Sequence, residues 1–462
     1  MIRKFFGDKA FYRRVLTLML PIMVQNGITN FVNMLDNVMV GQVGTNEMTG
    51  VAVVNQLIFV FNLCVFGIVS GAGIFGAQFF GSGDHNGVRH AFRFKLIAGL
   101  LITAAAIALL FFGGDELIML YLKGEGDAAA AAATLGFARQ YLHLMLLGLI
   151  PFAIVQCYSG TLRECGLATP PMCAGVIAVL INLFLNYVLI FGNFGTPRLG
   201  VAGAAIATVI SRYAELIIIT VWTQRNTHKA PFIRGAFRSF HVPKQLVWQI
   251  LAKGFPLMLN ETLWAAGLAT LNQCYSTRSL DVVAANNICS TFFNVFSVAF
   301  ISVGVAIGII LGQQLGANEL DHARQDSRKL IAFSFALSIG VAALFAALAD
   351  SIPLIYNTTN EIRHLATQLM LITALAMPMD AIANATYFTL RSGGKVLITF
   401  LFDSAFVWGI CVVTAFLLTT FTSLPILWIF FICQMLNLVK AIIGLILVNK
   451  NIWIKNIITE HA

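Results

Sequence analysis

The sequence GAGIFGAQFFG at residues 71–81 returns, 235 residues later, as AIGIILGQQLG at residues 306–316. The two stretches align without a gap at two glycines and one glutamine, namely Gly73 with Gly308, Gln78 with Gln313 and Gly81 with Gly316. Both stretches close long apolar segments. The fold is therefore expected to be duplicated, with each copy built from apolar helices.

The repeat extends beyond these stretches. Further identities at the same offset are Pro21 with Pro256, Met23 with Met258, Asn37 with Asn272, Phe61 with Phe296, Arg89 with Arg324 and Arg93 with Arg328. Thr161-Leu162-Arg163 returns as Thr389-Leu390-Arg391 at an offset of 228, so loop lengths differ while the order of segments is kept. Duplicated bundles around a central site are typical of secondary transporters. The repeat thus favours a transport function.

Composition indicates an integral membrane protein. The 462 residues are 58% hydrophobic and 11% charged, with a mean hydropathy of +0.84, which is more apolar than a soluble fold of this length. A helical span needs about 20 mainly apolar residues. Twelve segments qualify: 15–43, 51–80, 94–113, 137–160, 171–192, 201–224, 246–276, 284–312, 329–349, 363–390, 396–419 and 425–449. We expect an all-α protein with twelve transmembrane helices.

The distribution of basic residues predicts cytoplasmic termini. With twelve spans both termini lie on one side, and 22 of the 29 Lys and Arg residues fall there, including Lys95 in the loop near 81–95. Cytoplasmic loops carry this excess in membrane proteins. The net charge of +9 therefore reflects basic residues on the cytoplasmic side and does not indicate nucleic acid binding. We expect a monomer in the plasma membrane.

The repeat also predicts the domain organisation. Residues 1–224 form a six-helix N-lobe, 225–245 a polar cytoplasmic linker, 246–449 a six-helix C-lobe and 450–462 a cytoplasmic tail. Because each lobe has an even number of spans, both enter the membrane from the same side. The pseudo-two-fold axis is then expected along the membrane normal, with a cleft between the lobes as the transport route.

Several strings in this layout are similar to those of the multidrug and toxic compound extrusion (MATE) family of cation-coupled antiporters, in its NorM-like branch. They are Pro21 with Asp36-Asn37-Val38-Met39-Val40-Gly41, Gln78 to Gly81, Leu162-Arg163-Glu164-Cys165-Gly166 with Pro170, and Gly200-Val201-Ala202-Gly203-Ala204-Ala205-Ile206-Ala207-Thr208. The resemblance covers essentially the whole chain. It implies a cation-coupled exporter of organic compounds, driven by H+ or Na+.

A carboxylate inside a span is costly and is a functional candidate by default. Asp36 shares a polar helix face with Asn33, and Asn182 and Asn186 lie four residues apart on one face of the fifth span. The resemblance places Asp36, Asn182, Asn186 and Thr208 at the N-lobe cation site of the family. Some members carry a second carboxylate where this chain has Asn186, so H+ suits the site at least as well as Na+. The structural alternative is a protonated Asp36 that holds helices together.

The second half offers two further intramembrane acids, Glu261 after Pro256 and Asp380 after Pro378. Each proline weakens its helix near the acid. The NorM-like branch similarly pairs an acid of the seventh span with one of the tenth, although its usual tyrosine is replaced here by Ala376. We expect Glu261 and Asp380 to bind substrate or ion directly.

Other polar and aromatic side chains are candidates for lining a substrate cavity: Asn33, Trp264, Asn287, Asn294, Asn384 and Tyr387. Trp264 offers an aromatic face to an organic cation. Hydrogen bonds between helices explain the asparagines of the eighth span equally well. For Asp403, a cavity position and a structural hydrogen bond have equal weight.

These residues suggest that an organic cation enters from the cytoplasm and leaves when H+ or Na+ competes for the carboxylates. The sequence holds no GxxxxGK[ST] string, no catalytic triad spacing and no metal-ligand spacing, so neither an enzyme nor a resident cofactor is expected. Two alternatives remain open. A lipid-linked oligosaccharide flippase of the same superfamily would need basic residues in the cavity, and a channel would need a fixed pore.

Overall fold

The computed structural model is all-helical over the residues it describes, which are 6–122 and 128–458; the side chains at 33, 34, 37, 38, 128 and 280 are not described. The helices of this part of the chain are α1 (Lys9–Gly41), α2 (Thr45–Gly81), α3 (His85–Leu122), α4 (Ala128–Leu146), α5 (Leu149–Glu164), α6 (Thr169–Phe191), α7 (Val201–Arg225), α8 (Lys244–Ser276), α9 (Leu280–Gly316), α10 (Leu320–Ala347), α11 (Asn360–Ser392), α12 (Val396–Phe421) and α13 (Ile426–Asn449).

Ten helices of the described chain are long and apolar enough to cross a membrane, and α4 with α5 supplies an eleventh if the bent pair is one span. The predicted seventh span corresponds to α8, which is 33 residues long but too polar near Asn260 and Glu261 to be counted with the ten. Each predicted segment except 137–160 therefore lies in a single helix, apart from at most two residues at an end.

The predicted span at 137–160 is bent and not continuous. α4 and α5 meet at 47°, because Pro151 in the first turn of α5 has no N–H with which to continue the ladder of α4. Two side chains of α7 satisfy the carbonyl groups at the break. Arg212 Nη1 donates to Gly148 O at 3.1 Å, and the Tyr213 hydroxyl donates to Leu147 O at 3.3 Å.

The described chain divides into two compact units. We call Val24–Gly76 with His85–Gly254 the N-terminal unit, and the described residues of Met1–Met23, Ala77–Asp84 and Phe255–Ala462 the C-terminal unit. These units follow packing and not the sequence repeat. The lobe boundaries inferred from the repeat remain a prediction.

A buried ion pair joins α3 to α5 in the N-terminal unit. Lys95 Nζ lies 2.6 Å from each carboxylate oxygen of Glu164 and 3.1 Å from Thr161 Oγ1, and the lysine side chain is 0% exposed. Gly73 and Gly76 of α2 leave the space for this carboxylate, because a Cβ at either position would collide with it. Lys95 is thus an internal residue of α3, and its predicted place in a loop was wrong.

The linker that follows α7 is packed against the N-terminal unit. Its 3-10 turn Pro231–Ile233 buries Phe232, whose ring centroid lies 5.1 Å from that of Phe92 in α3. Arg93 holds the next turn, donating from Nε to Ala236 O and from Nη2 to Gly235 O, both at 2.8 Å. The segment is therefore polar in sequence but fixed in place.

The core of the C-terminal unit forms around α11, which packs against α9, α10 and α13. Its apolar residues include Leu369 and Met377, both 0% exposed. The segment after α13 packs onto the same unit, because Gln78 Nε2 donates to Ser392 O at 3.0 Å and Gln78 Oε1 accepts from Ile457 N at 2.9 Å. Trp453 of this segment is completely buried.

The ends of α2 and α9 meet in a reciprocal contact within the C-terminal unit. A Cβ at Gly81 would collide with the carbonyl oxygen of Gln313, and a Cβ at Gly316 would collide with the carbonyl oxygen of Gln78. These four residues are the repeat partners identified from the sequence. Reciprocal contacts between equivalent residues require a local two-fold relation. The ends of α2 and α9 are therefore related by a local two-fold axis, as the sequence repeat predicts.

The helix α12 departs from α-helical geometry beside polar residues. Leu401–Ala405 and Val407–Val412 are π-helical. Such wide turns are rare and are frequent at functional sites. They include Asp403 and Ser404, which are central to the site described next.

Candidate functional site

The four residues expected at an N-lobe cation site lie together in the N-terminal unit. Asn186 Nδ2 donates to Asp36 Oδ1 at 2.7 Å and to Asn182 Oδ1 at 3.2 Å. Asn182 in turn contacts Thr208 Oγ1 at 3.3 Å. The i, i+4 spacing in α6 stacks the two amides, and α7 approaches closely because Gly203 lies against the backbone at Leu189.

This cluster is rich in oxygen and mostly shielded from solvent. Asn186 and Asn182 are 1% and 6% exposed, and Asp36 is partly exposed. With its amide turned over, Asn182 would donate to Asp36 Oδ1 and Oδ2 at 3.2 and 3.1 Å and accept from Thr208. This orientation bridges the acid and the hydroxyl directly, whereas the other reaches Asp36 only through Asn186. The buried Oδ1 of Asn186 accepts no hydrogen bond from the described residues. The cluster can hold a proton or a small cation.

No lysine or arginine of the described chain forms an ion pair with Asp36. The guanidinium of Arg212 is engaged by Gly148 O and lies over the Phe152 ring, 5.1 Å from its centroid. The charge of Asp36 is therefore balanced by amide dipoles alone among these residues, which leaves it able to exchange a proton or a cation.

A longer polar network occupies the C-terminal unit. The Tyr387 hydroxyl donates to Glu261 Oε1 at 3.4 Å, and Asn260 Nδ2 donates to Asp403 Oδ2 at 3.0 Å and contacts the Tyr387 hydroxyl at 3.4 Å. The other oxygen of Asp403 forms an ion pair with Lys440 Nζ. Two carboxylates are thus linked through one tyrosine and one asparagine. Asp403 is paired with Lys440, and the positive charge of Arg391 acts on Glu261.

The π-helical turn of α12 positions this network. Ser404 Oγ contacts both the backbone O and the Oδ1 of Asn260 at 2.7 Å, and Ser404 N donates to the same Oδ1 at 3.3 Å. Asn260 is 1% exposed and Ser404 is 0% exposed. These contacts fix the orientation of the Asn260 amide, so that its Nδ2 points toward Asp403.

The structure places Asp380 differently from Glu261. Asp380 is partly exposed on α11 and interacts with Lys440 through space. No hydrogen bond or ion pair joins it to Glu261 among the described residues, so direct pairing of the two acids is not observed there. Two cavity candidates lie further along α11, where Tyr387 is buried in the network and Asn384 lies near Gly304 of α9.

Three further cavity candidates, Trp264, Asn287 and Asn294, make no side-chain hydrogen bond to either cluster within the described chain. Trp264 is 39% exposed, and Asn287 and Asn294 are exposed on α9, where their carbonyl groups accept from serine and threonine hydroxyls of the same helix. The side chain of Asn33 lies outside those that the structure describes. The roles predicted for these four residues remain predictions.

Sequence reasoning missed Asn260, Ser404 and Lys440, and left Asp403 undecided. One signal was available, because a lysine inside a span requires an acidic partner nearby, and Lys440 is such a lysine. The contact between Asn260 and Ser404 had no signal, since the two residues lie 144 positions apart. Within the described chain, no three His, Cys, Asp or Glu residues are grouped as metal ligands.

The MatE family profile matches the chain twice, at residues 21–188 and 256–417. The two matches begin at Pro21 and Pro256, the first pair of the sequence repeat. The chain is 25% identical over 421 residues to the probable multidrug resistance protein YoeA of Bacillus subtilis, covering 90% of this chain and 89% of the relative. It is 27% identical over 375 residues to the multidrug resistance protein MdtK of Edwardsiella ictaluri, covering 80% and 79%.

Solved structures share the fold. An outward-facing multidrug resistance MATE family transporter of the MOP superfamily superposes with a TM-score of 0.85 at 18% identity, covering 97% of both chains. A MOP superfamily transporter from Pyrococcus furiosus, described as having a binding pocket of reversed polarity, gives a TM-score of 0.84 at 18% identity and the same coverage. These matches confirm the predicted twelve-helix fold. The chain is therefore a multi-pass membrane protein that belongs to the MATE family of multidrug efflux transporters.

Proposed function

We propose that this transporter is a cation-coupled antiporter that exports organic cations by alternating access, with H+ as the coupling ion at Asp36. The observation that carries the proposal is the environment of this acid. Asp36 is held by the amide of Asn186 at 2.7 Å and has no ion-pair partner among the described residues. A single carboxylate with a neutral amide partner suits a proton at least as well as a sodium ion.

The C-terminal unit is assigned to the substrate. Glu261 and Asp380 supply negative charge, and the network includes the aromatic rings of Tyr387 and Phe402. A carboxylate beside an aromatic face is the combination that attracts an organic ammonium group. Trp264 is proposed to contribute a further aromatic face.

Exchange follows from competition for charge. Desolvation favours the neutral, protonated form of a carboxyl group, whereas a cation nearby favours the ionised form. Protonation of Glu261 and Asp380 would therefore weaken the binding of an organic cation there, and we propose that protonation of Asp36 is coupled to this release through alternating access. If one monovalent cation leaves for each proton that enters, the exchange is electroneutral, and only the pH gradient drives it.

The proposal includes an orientation. The termini are assigned to the cytoplasm of a bacterial cell, with the protein in the plasma membrane, because basic residues dominate the side of the termini. In this orientation the substrate leaves the cytoplasm while protons enter down an inwardly directed gradient.

The test is transport of a fluorescent cation such as ethidium in proteoliposomes. A pH gradient alone is expected to drive uptake into vesicles that are acidic inside, while a Na+ gradient at equal pH is not. Asp36→Asn is expected to abolish the response to the pH gradient. Asp350→Asn serves as the matched control, because it makes the same chemical change at an exposed acid and is expected to leave transport unchanged. Unaltered transport by Asp36→Asn would contradict the assignment.

A further inference from the structure

Lys440 is a lysine inside a membrane-spanning helix. It lies near the middle of α13, and its side chain is 13% exposed. A charged side chain at this depth is costly unless it is paired. Its partner is Asp403, whose side chain is 15% exposed and which lies 37 residues earlier in the sequence. The pair therefore balances one charge of the C-terminal network from within the protein.

The surroundings of the ammonium group resemble those that bind a free cation. Nζ contacts a carboxylate oxygen of Asp403, lies 5.5 Å from the centroid of the Phe402 ring and interacts through space with Asp380. Carboxylate oxygens and an aromatic face stabilise any small cation. In this protein the chain itself supplies that cation, on a flexible four-carbon side chain.

The acid is held in place for this contact. Its second oxygen accepts from Asn260 Nδ2 at 3.0 Å, and Asn260 is itself fixed by Ser404 in the π-helical turn Leu401–Ala405. Asp403 therefore has one oxygen committed to an amide and one to the ammonium group. An added cation would compete with Lys440 for the second oxygen.

We propose that Lys440 acts as a resident cation at Asp403 and excludes Na+ from this carboxylate. A second cation at this oxygen would lie close to the ammonium charge and be repelled at short range in a shielded environment. Discrimination by a built-in repulsive charge is a general route to specificity. The inference rests on the proposed function, and it extends it by giving a reason why Asp403 does not form a second cation site beside Asp36.

The experiment measures binding of radioactive sodium to the purified full-length protein in lipid nanodiscs by scintillation proximity, at about pH 8. All variants carry Asp36→Asn, so that the N-terminal acid contributes no site. With Lys440 intact, this protein is expected to bind no Na+ saturably. Adding Lys440→Met should create a saturable site, because the competing charge is gone while Asp403 remains.

Two further variants serve as controls. Lys440→Arg keeps the positive charge and is expected to behave as the lysine protein does. Combining Lys440→Met with Asp403→Asn should remove the new site, because it depends on that carboxylate. Lys440→Gln is measured in parallel, so that a folded uncharged variant is available if the methionine variant does not fold.

Three results would overturn the inference. They are saturable Na+ binding with Lys440 intact that Asp403→Asn removes, no gain of binding in the folded uncharged variants, or a gain that persists without Asp403. None of these depends on transport. If instead wild-type proteoliposomes fail to move a cation along a pH gradient, the proposed function is wrong whatever the sodium measurements show.

Discussion

The two units place their charged residues in opposite ways. In the N-terminal unit, the lysine–carboxylate pair Lys95–Glu164 is sealed from solvent, and the candidate site acid Asp36 lies apart with amide partners. In the C-terminal unit the pair Lys440–Asp403 belongs to the candidate network itself and remains partly exposed. In the N-terminal unit the buried ion pair and the candidate site acid are different residues. In the C-terminal unit Asp403 belongs to both the ion pair and the candidate network.

This difference shows how a duplicated chain can diverge. The backbone contacts repeat, as in Gly81 with Gln313 and Gly316 with Gln78. The ion pair Lys95–Glu164 does not repeat, because the residues that follow Lys95 at the offset of 235 and Glu164 at the offset of 228 are Leu330 and Ser392. Close helix packing depends on small residues and keeps its geometry after duplication. By contrast, a charged side chain can be gained or lost at a single position wherever a neighbouring residue supplies its counter-charge.

The difference between the two units is tested most directly at the buried pair Lys95–Glu164. Lys95→Met should lower the free energy of unfolding by about 3–5 kcal/mol, because the carboxylate of Glu164 is left buried without its counter-charge. Lys440→Met should cost less, since water reaches its pair. Thermal unfolding in detergent compares the two. The double variant Lys95→Met/Glu164→Gln is expected to recover part of the loss, and an equal loss in both single variants would mean that the pairs do not differ.

Glu261→Gln tests the assignment of the C-terminal acids to substrate. Removing this charge should weaken binding of ethidium by about 1.5–3 kcal/mol, the usual value for a contact to a charged group, while the response of transport to the pH gradient persists. Tryptophan quenching gives the Kd, and proteoliposome flux gives the pH response. Loss of the pH response with unchanged Kd would move the coupling ion to the C-terminal unit.

The shared part of the two halves is tested at the reciprocal glycines. Gly81→Ala and Gly316→Ala should each destabilise the protein by about 1–3 kcal/mol, since each added methyl group meets a backbone carbonyl that cannot rotate away. The two losses are expected to be similar. Gly113→Ala is the matched control, because its Cβ would meet nothing within 4 Å; it should be neutral or stabilising by up to about 1 kcal/mol.

The smallest effect is expected within the C-terminal network. Tyr387→Phe removes the hydroxyl that donates to Glu261 and contacts Asn260. The loss should be about 0.5–1.5 kcal/mol in substrate binding, with the fold kept, because the ring stays packed. Tyr141→Phe, which removes a hydroxyl that donates to Asn55 at 3.3 Å in the N-terminal unit, should leave substrate Kd unchanged. A larger effect from the second substitution would contradict the division of roles.

The sequence by itself determined the membrane class, the helix positions and the duplication, because these depend on local properties. A span is a run of apolar residues, and a repeat is an identity at fixed spacing, so neither needs distant contacts. The cluster of Asp36, Asn182, Asn186 and Thr208 was found from its acid, from the i, i+4 spacing of the asparagines and from the family resemblance.

Only the tertiary structure decided which charges are paired. Lys95 was placed in a loop and Lys440 was left without a partner, since local sequence does not identify which residue 69 or 37 positions away will be the partner. The break between α4 and α5, the π-helical turns of α12 and the contact of Ser404 with Asn260 likewise depend on neighbouring helices. The energy of a buried charge is set by what surrounds it in space, and that is fixed only when the helices pack.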